Sequence, residues 1–373
     1  MTPNAPRLLV IVNHNAGRAR RAWPQIRNTL HAQGIRFDEH ATTHAGDATT
    51  QTRSALHAGY NLIAIVGGDG TLSEAASGFF DFDEEVVNTS NILPHAINTN
   101  AALALLPAGT GNDFARGLLA GRRAPLEFWI EKLIASCRNT ETSAPRVVDV
   151  IYGNAAVATQ SDAQHNAQPF IALNAATFGI GAETAQRVAA QRGLTARLNG
   201  EARFVAAACG ALVAWRERPV RLTLGDSNTG ESNSSEKVID EADTNQAAHN
   251  QAHTNQAADN HTNVIECRTN ILAIANNIYA GGGMMFAPHA RPDDGRLDVL
   301  IACQLSRAAV LRELPRIRKG THLSNKKVRT FTATHVRVET LDAHERLIIE
   351  ADGNVRGHTP AEFRVMPAAL RIV

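Results

Sequence analysis

Residues 61–79 read NLIAIVGGDGTLSEAASGF: an unbroken apolar run, then three glycines and an aspartate within five positions, then a helix-like stretch. A run such as LIAIV, with no polar alternation, suits a strand buried on both faces, as in parallel sheets. Residues 8–12, LLVIV, have the same character and lead into NHNAG. Between the two runs, helical periodicity over 23–33 and 48–58 flanks a second strand at 36–40. Strands alternating with helices predict a parallel α/β sheet with helices on both faces. Its ligand crevice lies beyond the carboxyl ends of the strands, where both NHNAG and GGDGT fall.

The GGDGT turn carries a chemical argument. Gly67, Gly68 and Gly70 let backbone N–H groups approach a phosphate with no Cβ in the way, and the helix start adds partial positive charge. A bare Asp69 carboxylate would repel that phosphate, so a cation must lie between them. Mg²⁺, bound directly or through its water shell, fits a site with few carboxylates. No GxxxxGK[ST] is present, so the turn is not the common P-loop. After a polar stretch at 81–100, a second strand-to-helix turn follows in LALLPAGTGNDFARGL (103–118), where Asn112 and Asp113 are expected to cap the helix.

Past residue 145 the segments become short, alternating and β-branched, as in RVVDVIYG (146–153) and HVRVETL (335–341). They predict a mostly antiparallel second domain, interrupted by one helix at 201–215. Residues 226–263 are polar and repeat TNQAA at 244 and 254, so a disordered insertion is expected there, its histidines solvated. The division is thus 1–145 for a nucleotide-binding α/β domain and 146–361 for a β-rich domain, with 362–373 packing back on the first.

The 373 residues, 44% of them hydrophobic, suffice for two cores. A formal charge of +1 gives no global attraction to nucleic acid, so any electrostatic partner needs a local patch. Cys137, Cys209, Cys267 and Cys303 show neither disulfide-framework nor zinc-ligand spacing, and four buried reduced thiols are expected. LLVIV is too short for a signal-peptide core and no run has spanning length, so a cytoplasmic protein is expected.

The blocks GGDGTLSEAASG (67–78), LPAGTGNDFARGL (106–118), NAATFGIGA (174–182), the stretch 275–302 and EADGNVRGHTPAEFRVMPAALRIV (350–373) resemble the diacylglycerol kinase catalytic-domain family. The likeness is to its soluble bacterial lipid kinases, whose first domain shares its design with phosphofructokinases and NAD kinases. The resemblance implies ATP and Mg²⁺ as cofactors. It implies a nucleotide pocket of Asn13, the turn to Gly17, Thr42, Gly67, Gly68, Asp69, Gly70, Thr71, Thr110 and Asn112. Asp69, Asp113 and Asp149 would hold the Mg²⁺ of the nucleotide through water. Asp294, with the carbonyls of Arg291 and Arg296, would form a second, structural Mg²⁺ site. Asp352 matches the general base.

The chain departs from the family pattern at His14, where proline is usual, and at Asn354, where glutamate commonly follows the catalytic Asp-Gly. The implied reaction is phosphoryl transfer from Mg-ATP to a lipid hydroxyl, diacylglycerol first. Sphingoid or ceramide-type lipids, phosphatidylglycerol, an NAD kinase-like soluble acceptor and a non-catalytic nucleotide-binding regulator stand as alternatives. The implied partner is a membrane surface met peripherally, with a homodimer as an open assembly and no nucleic acid. Residues 312–329 hold seven cations against Glu313, readable either as a solvated face or as a lipid-facing patch.

Overall fold

The computed structural model describes residues 6–82, 93–139, 144–157, 166–190, 207, 210–211, 215–226, 228–229, 263–342 and 344–373. β1 (Leu8–Val12), β2 (Phe37–Ala41) and β3 (Leu62–Gly67) alternate with α1 (Gly17–Ala32), α2 (Asp47–His57) and α3 (Asp69–Ser77). A two-residue ladder joins β4 (Phe80–Asp81) to β5 (His95–Ala96). β6 (Ala102–Pro107) then leads into α4 (Asp113–Leu118) and α5 (Leu126–Cys137). β6, β3, β1 and β2 lie in that order and pair in parallel. Every residue of β1 and β3 is buried, as an uninterrupted apolar run demands, whereas β2 takes the sheet edge with the polar sequence FDEHA. The turns after β1, β3 and β6 therefore open at one end of the sheet.

The C-terminal half comprises β7 (Arg146–Val157), β8 (Asn166–Ala172), β9 (Ala175–Gly179), α6 (Ile180–Ala190), β10 (Arg218–Gly225), β11 (Asn228–Thr229), β12 (Asn263–Ala275) and β13 (Leu297–Cys303). α7 (Arg307–Lys319), β14 (Val328–Ala333), β15 (His335–Thr340), β16 (Ile348–Ala351) and β17 (Asn354–Ile372) complete it. These strands pair antiparallel around a core that includes Phe178, Leu222, Leu272, Ile349 and Phe363. β17 joins the two halves: its start pairs with β16, while Arg371 and Ile372 run parallel to Ala102 and Leu103 of β6. One strand thus runs from the turn at Asp352 into the sheet that carries the glycine turns.

The structure corrects several expectations. The β-rich half contains α6 and α7, neither of which the alternation suggested. α7 is closed by its ends: Ser306 Oγ accepts from Ala309 N at 3.2 Å, and Gly320 takes the left-handed conformation at φ 69°. Of the helix expected over 201–215, only 207, 210, 211 and 215 are described. The expected disorder over 226–263 is corrected at its margins, because Asn228–Thr229 pairs with β14 and Asn263 with Leu224; residues 230–262 lie outside the described residues. Cys137 is buried, but Cys267 and Cys303 are only half-buried, and all three are free thiols. Cys209 lies outside the described residues.

Candidate active site

The two glycine turns meet backbone to backbone. A Cβ at Gly109 would collide with the Cα of Gly68, and one at Gly68 would lie 3.2 Å from the Cα of Gly109. Gly109 admits no side chain, and at Gly68 one would fit only if the facing turn gave way by a few tenths of an ångström. Ala108 N donates to Gly67 O at 2.8 Å, closing the contact, and a small cavity lined by Gly67, Gly68, Asp69 and Asn112 lies beside it. Asn13 braces the group: its Nδ2 donates to Thr71 Oγ1 at 2.8 Å, and its Oδ1 accepts from Asn15 N and Ala16 N. Thr42 N donates to Val12 O, which ties the turn after β2 to the end of β1. Gly17 opens α1 with open space where a Cβ would stand, and the next residue, Arg18, donates to Gly109 O at 3.1 Å. Sequence reading did not single out Arg18. Thr110 is exposed at the rim.

The expected side-chain cap on α4 is absent. Asn112 takes φ 52°, and its Oδ1 accepts instead from Gly109 N at 2.9 Å, shaping the turn. Asp113 is thereby released to face Asp69. Both carboxylates converge on Gly111, where a Cβ would stand 3.2 Å from Asp69 Oδ2 and 3.3 Å from either oxygen of Asp113. Asp69 Oδ1 accepts from Phe114 N at 3.0 Å, and Asp113 Oδ2 from Gly282 N at 2.7 Å. The other Asp113 oxygen is buried with no hydrogen-bond partner among the described residues. Burial, and then the neighbouring charge of Asp69, pushes the Asp113 carboxyl up to about 6. Two converging carboxylates with an orphaned oxygen fit a hard divalent cation, which would relieve both the repulsion and the missing bond.

Across from this pair, Gly70 abuts the turn that follows β16: its Cβ position is 3.4 Å from Asp352 O and 3.5 Å from Asn354 Nδ2. Asp352 itself adopts φ 49°. Its carboxylate is buried and accepts from Leu173 N at 2.6 Å, Asn174 N at 3.0 Å and Ala175 N at 3.4 Å. Burial raises its pKa, the Leu173 bond opposes that rise, and the charge of Asp69 adds to it.

Glu350, on β16 two residues before Asp352, was missed as a site residue. It accepts from Thr177 Oγ1 at 2.6 Å and from Gly353 N, and burial pushes its carboxyl up to about 7. The unfolded carboxyl titrates near 4.5, so its contribution to stability is full below that pH and is lost as pH rises to about 7. Glu350→Gln should therefore gain on the wild type in thermal stability as pH increases from about 4.5 to 7. A pH-independent difference in Tm would exclude Glu350 as the titrating group.

The remaining acidic residue lies on another side. Asp149 Oδ2 accepts from Gly295 N and Oδ1 from Ala368 N, both at 2.7 Å. It thus sits with the 291–296 turn, where Asp294 Oδ1 accepts from Arg296 N at 3.0 Å and Arg291 pairs with Asp293 at 3.5 Å. Burial, opposed by the Arg296 bond and reinforced by Asp149, raises the pKa of Asp294. The adjacent Asn276 and Asn277 tie the backbones that carry the two aspartates: Asn276 Nδ2 donates to the main-chain O of Asp149 at 2.8 Å and Asn277 Nδ2 to that of Asp113 at 3.2 Å. Sequence reading passed over both asparagines. No cluster of three or more metal-type side chains assembles among the described residues.

Comparison with known proteins agrees with this architecture. Residues 7–150 match the diacylglycerol kinase catalytic domain, and residues 174–373 match the YegS C-terminal NAD kinase beta sandwich-like domain. A diacylglycerol kinase of Mycobacterium tuberculosis is 26% identical over 92% of this chain and 86% of its own. A probable lipid kinase YegS-like protein of Chromohalobacter salexigens is 26% identical over 94% and 86%. A crystal structure of a diacylglycerol kinase from Bacillus anthracis str. Sterne shares the fold at a TM-score of 0.54, covering 99% of this chain and 96% of that one at 17% identity.

Proposed function

The chain belongs to the diacylglycerol kinase-like, YegS-like family of lipid kinases, and from that premise we propose that it transfers the γ-phosphoryl group of ATP to a lipid hydroxyl, diacylglycerol first. The observation that carries the reading is the meeting of the two glycine turns with Asp69, Asp113 and Asp352. In the proposed division, residues 1–145 present the nucleotide and 146–361 the acceptor. Backbone N–H groups of the two turns, other than those of Ala108 and Gly109, which Gly67 O and Asn112 Oδ1 already take, donate to phosphate oxygens, with Asn13, Thr42, Thr71 and Thr110 at the edges of that pocket. Asp69 and Asp113 would hold Mg²⁺, which when bound neutralises phosphate charge; Asp149 supports that group through Asn276 and Asn277. Asp294, with the Arg291 and Arg296 carbonyls, is proposed as a separate structural cation site.

Phosphoryl transfer asks the protein mainly for positioning and charge stabilisation. The acceptor oxygen forms a bond to the γ-phosphorus as the bond to the ADP oxygen breaks, and the hydroxyl proton passes to Asp352. Its raised pKa suits proton acceptance, while the three N–H donors keep it aimed.

No helix among the described residues is long and apolar enough to cross a membrane. Peripheral contact, on the cytoplasmic side, is the route proposed to the lipid. Arg312, Arg318, Lys319, Lys326, Lys327 and Arg329 are exposed, as is Leu311 on the same helix. Arg316 drops out of this face because it pairs with buried Glu313 at 3.0 Å. Each such cation contributes about 1 kcal/mol near an anionic surface. The test is phosphorylation of a lipid panel in mixed micelles with labelled ATP, NAD serving as the soluble acceptor. Label on diacylglycerol is expected; label on NAD without lipid would reverse the assignment.

A further inference from the structure

The acceptor side of Asp352 carries a cation that the proposed mechanism does not use. β16 and β17 slip register between Ile349 and Glu350: Glu350 pairs with Val355 and Ile349 with Gly357, leaving Arg356 as the extra residue of a bulge. Bulges beside active sites commonly re-aim a side chain. This one depends on Gly357, at φ 138°, where a Cβ would collide with the Ala156 carbonyl oxygen. The Arg356 guanidinium lies 5.5 Å from the centroid of the Phe170 ring. Its Nε and Nη2 are buried with no hydrogen-bond partner among the described residues, and Asn354 Nδ2 is orphaned in the same way.

A residue serving only as counter-charge would close onto a carboxylate. Asp352, Glu74 and Glu350 all act on Arg356 electrostatically. Yet Asp352 bonds to Leu173, Asn174 and Ala175, and Glu350 bonds to Thr177 and Gly353. Leaving buried donors unpaired is costly, so donors without acceptors, next to a general base, call for an oxygen-rich ligand. We infer that Arg356, with Asn354 beside it, forms an oxyanion site at the acceptor face that receives a phosphate-type oxygen. That oxygen comes either from the headgroup of an anionic acceptor lipid or from the phosphoryl group in transfer. The inference rests on the lipid-kinase reading and assigns one side of its site a ligand class.

The experiment compares wild type, Arg356→Met and Arg356→Lys on diacylglycerol and on phosphatidylglycerol, in mixed micelles. Initial rates, the KM for ATP and Tm are recorded for each. Charge-assisted hydrogen bonds of this kind correspond to about ten- to hundred-fold effects. If the oxygen belongs to the acceptor, Arg356→Met loses that factor in kcat/KM on phosphatidylglycerol and changes little on diacylglycerol. If it belongs to the transferred group, kcat falls by a similar factor on both lipids, the KM for ATP is unchanged, and Arg356→Lys recovers part of the rate. Wild-type rates on both lipids would overturn the site. So would a loss matched by falls in Tm and ATP affinity, which would make Arg356 a structural counter-charge. Should the wild type phosphorylate neither lipid, the kinase reading fails separately. Calorimetric titration with dihexanoylphosphatidylglycerol then decides the site: weaker binding by Arg356→Met supports it, and equal binding refutes it.

Discussion

Asp69→Asn should lower kcat/KM by about 10²–10³-fold, the usual cost of removing one charged or dipolar group from a preorganised site. The substitution keeps the amide oxygen that accepts from Phe114 N, so the turn into α4 stays intact while one of two converging charges is lost. Asp69 opens α3 at the mouth of a turn and is not among the buried core residues, so the variant should stay folded. Two further signs separate a cation-holding role from a steric one. The Mg²⁺ concentration needed for half-maximal rate should rise, because a remaining carboxylate holds the ion less tightly. Without Mg²⁺ the variant's Tm should hold or rise, because the charge of Asp69 acts unfavourably on the buried Asp113 carboxylate and the amide removes that repulsion. A variant with wild-type turnover at ordinary Mg²⁺ would exclude Asp69 from the metal-holding group.

The parts of the site legible in the sequence are those whose chemistry is local. Gly67 to Thr71 announce themselves because a glycine turn between a buried strand and a helix has few other uses. Gly109 follows the same logic, and the collision of a Cβ there with Gly68 supplies its physical reason. What escaped is set by long-range pairing. Asp352 takes its donors from residues 177 to 179 positions away, and Glu350 meets Thr177 at a separation of 173. Nothing in IIEADGN states where the opposing loop lies.

Arg356 is harder still to read, since its direction follows from a register slip that only the paired strands define. The helix α7 was obscured by its own charges. Its inward face is narrow, with Val310 and Ile317 buried, and Glu313 is buried there against Arg316. A solvated cap on α4 was the natural local reading of Asn112 and Asp113. Tertiary structure replaced it: Asn112 turned back to Gly109, and Asp113 was claimed by Gly282 from the other half of the chain.

Asp352→Asn should cut turnover by about 10²–10⁴-fold, the range general-base assistance supplies, with little change in ATP affinity. Asparagine is the appropriate probe because the residue stands at φ 49°, a conformation that asparagine tolerates nearly as well as aspartate. Its carbonyl oxygen can still accept from Leu173 N, but its amide nitrogen must then face the Asn174 and Ala175 N–H groups, so a modest loss of stability is expected. Aspartate in a merely structural turn would show that loss in Tm and nothing in rate. A base shows the reverse emphasis: kcat collapses, the KM for ATP holds, and the limb of the pH profile that reports the base disappears. Initial rates on mixed micelles, ATP affinity from equilibrium titration and Tm together distinguish the cases. Unchanged turnover would remove Asp352 from the chemistry. A parallel loss of ATP binding would move it to the nucleotide side, which the contact of Gly70 with the Asp352 carbonyl makes the specific competing outcome.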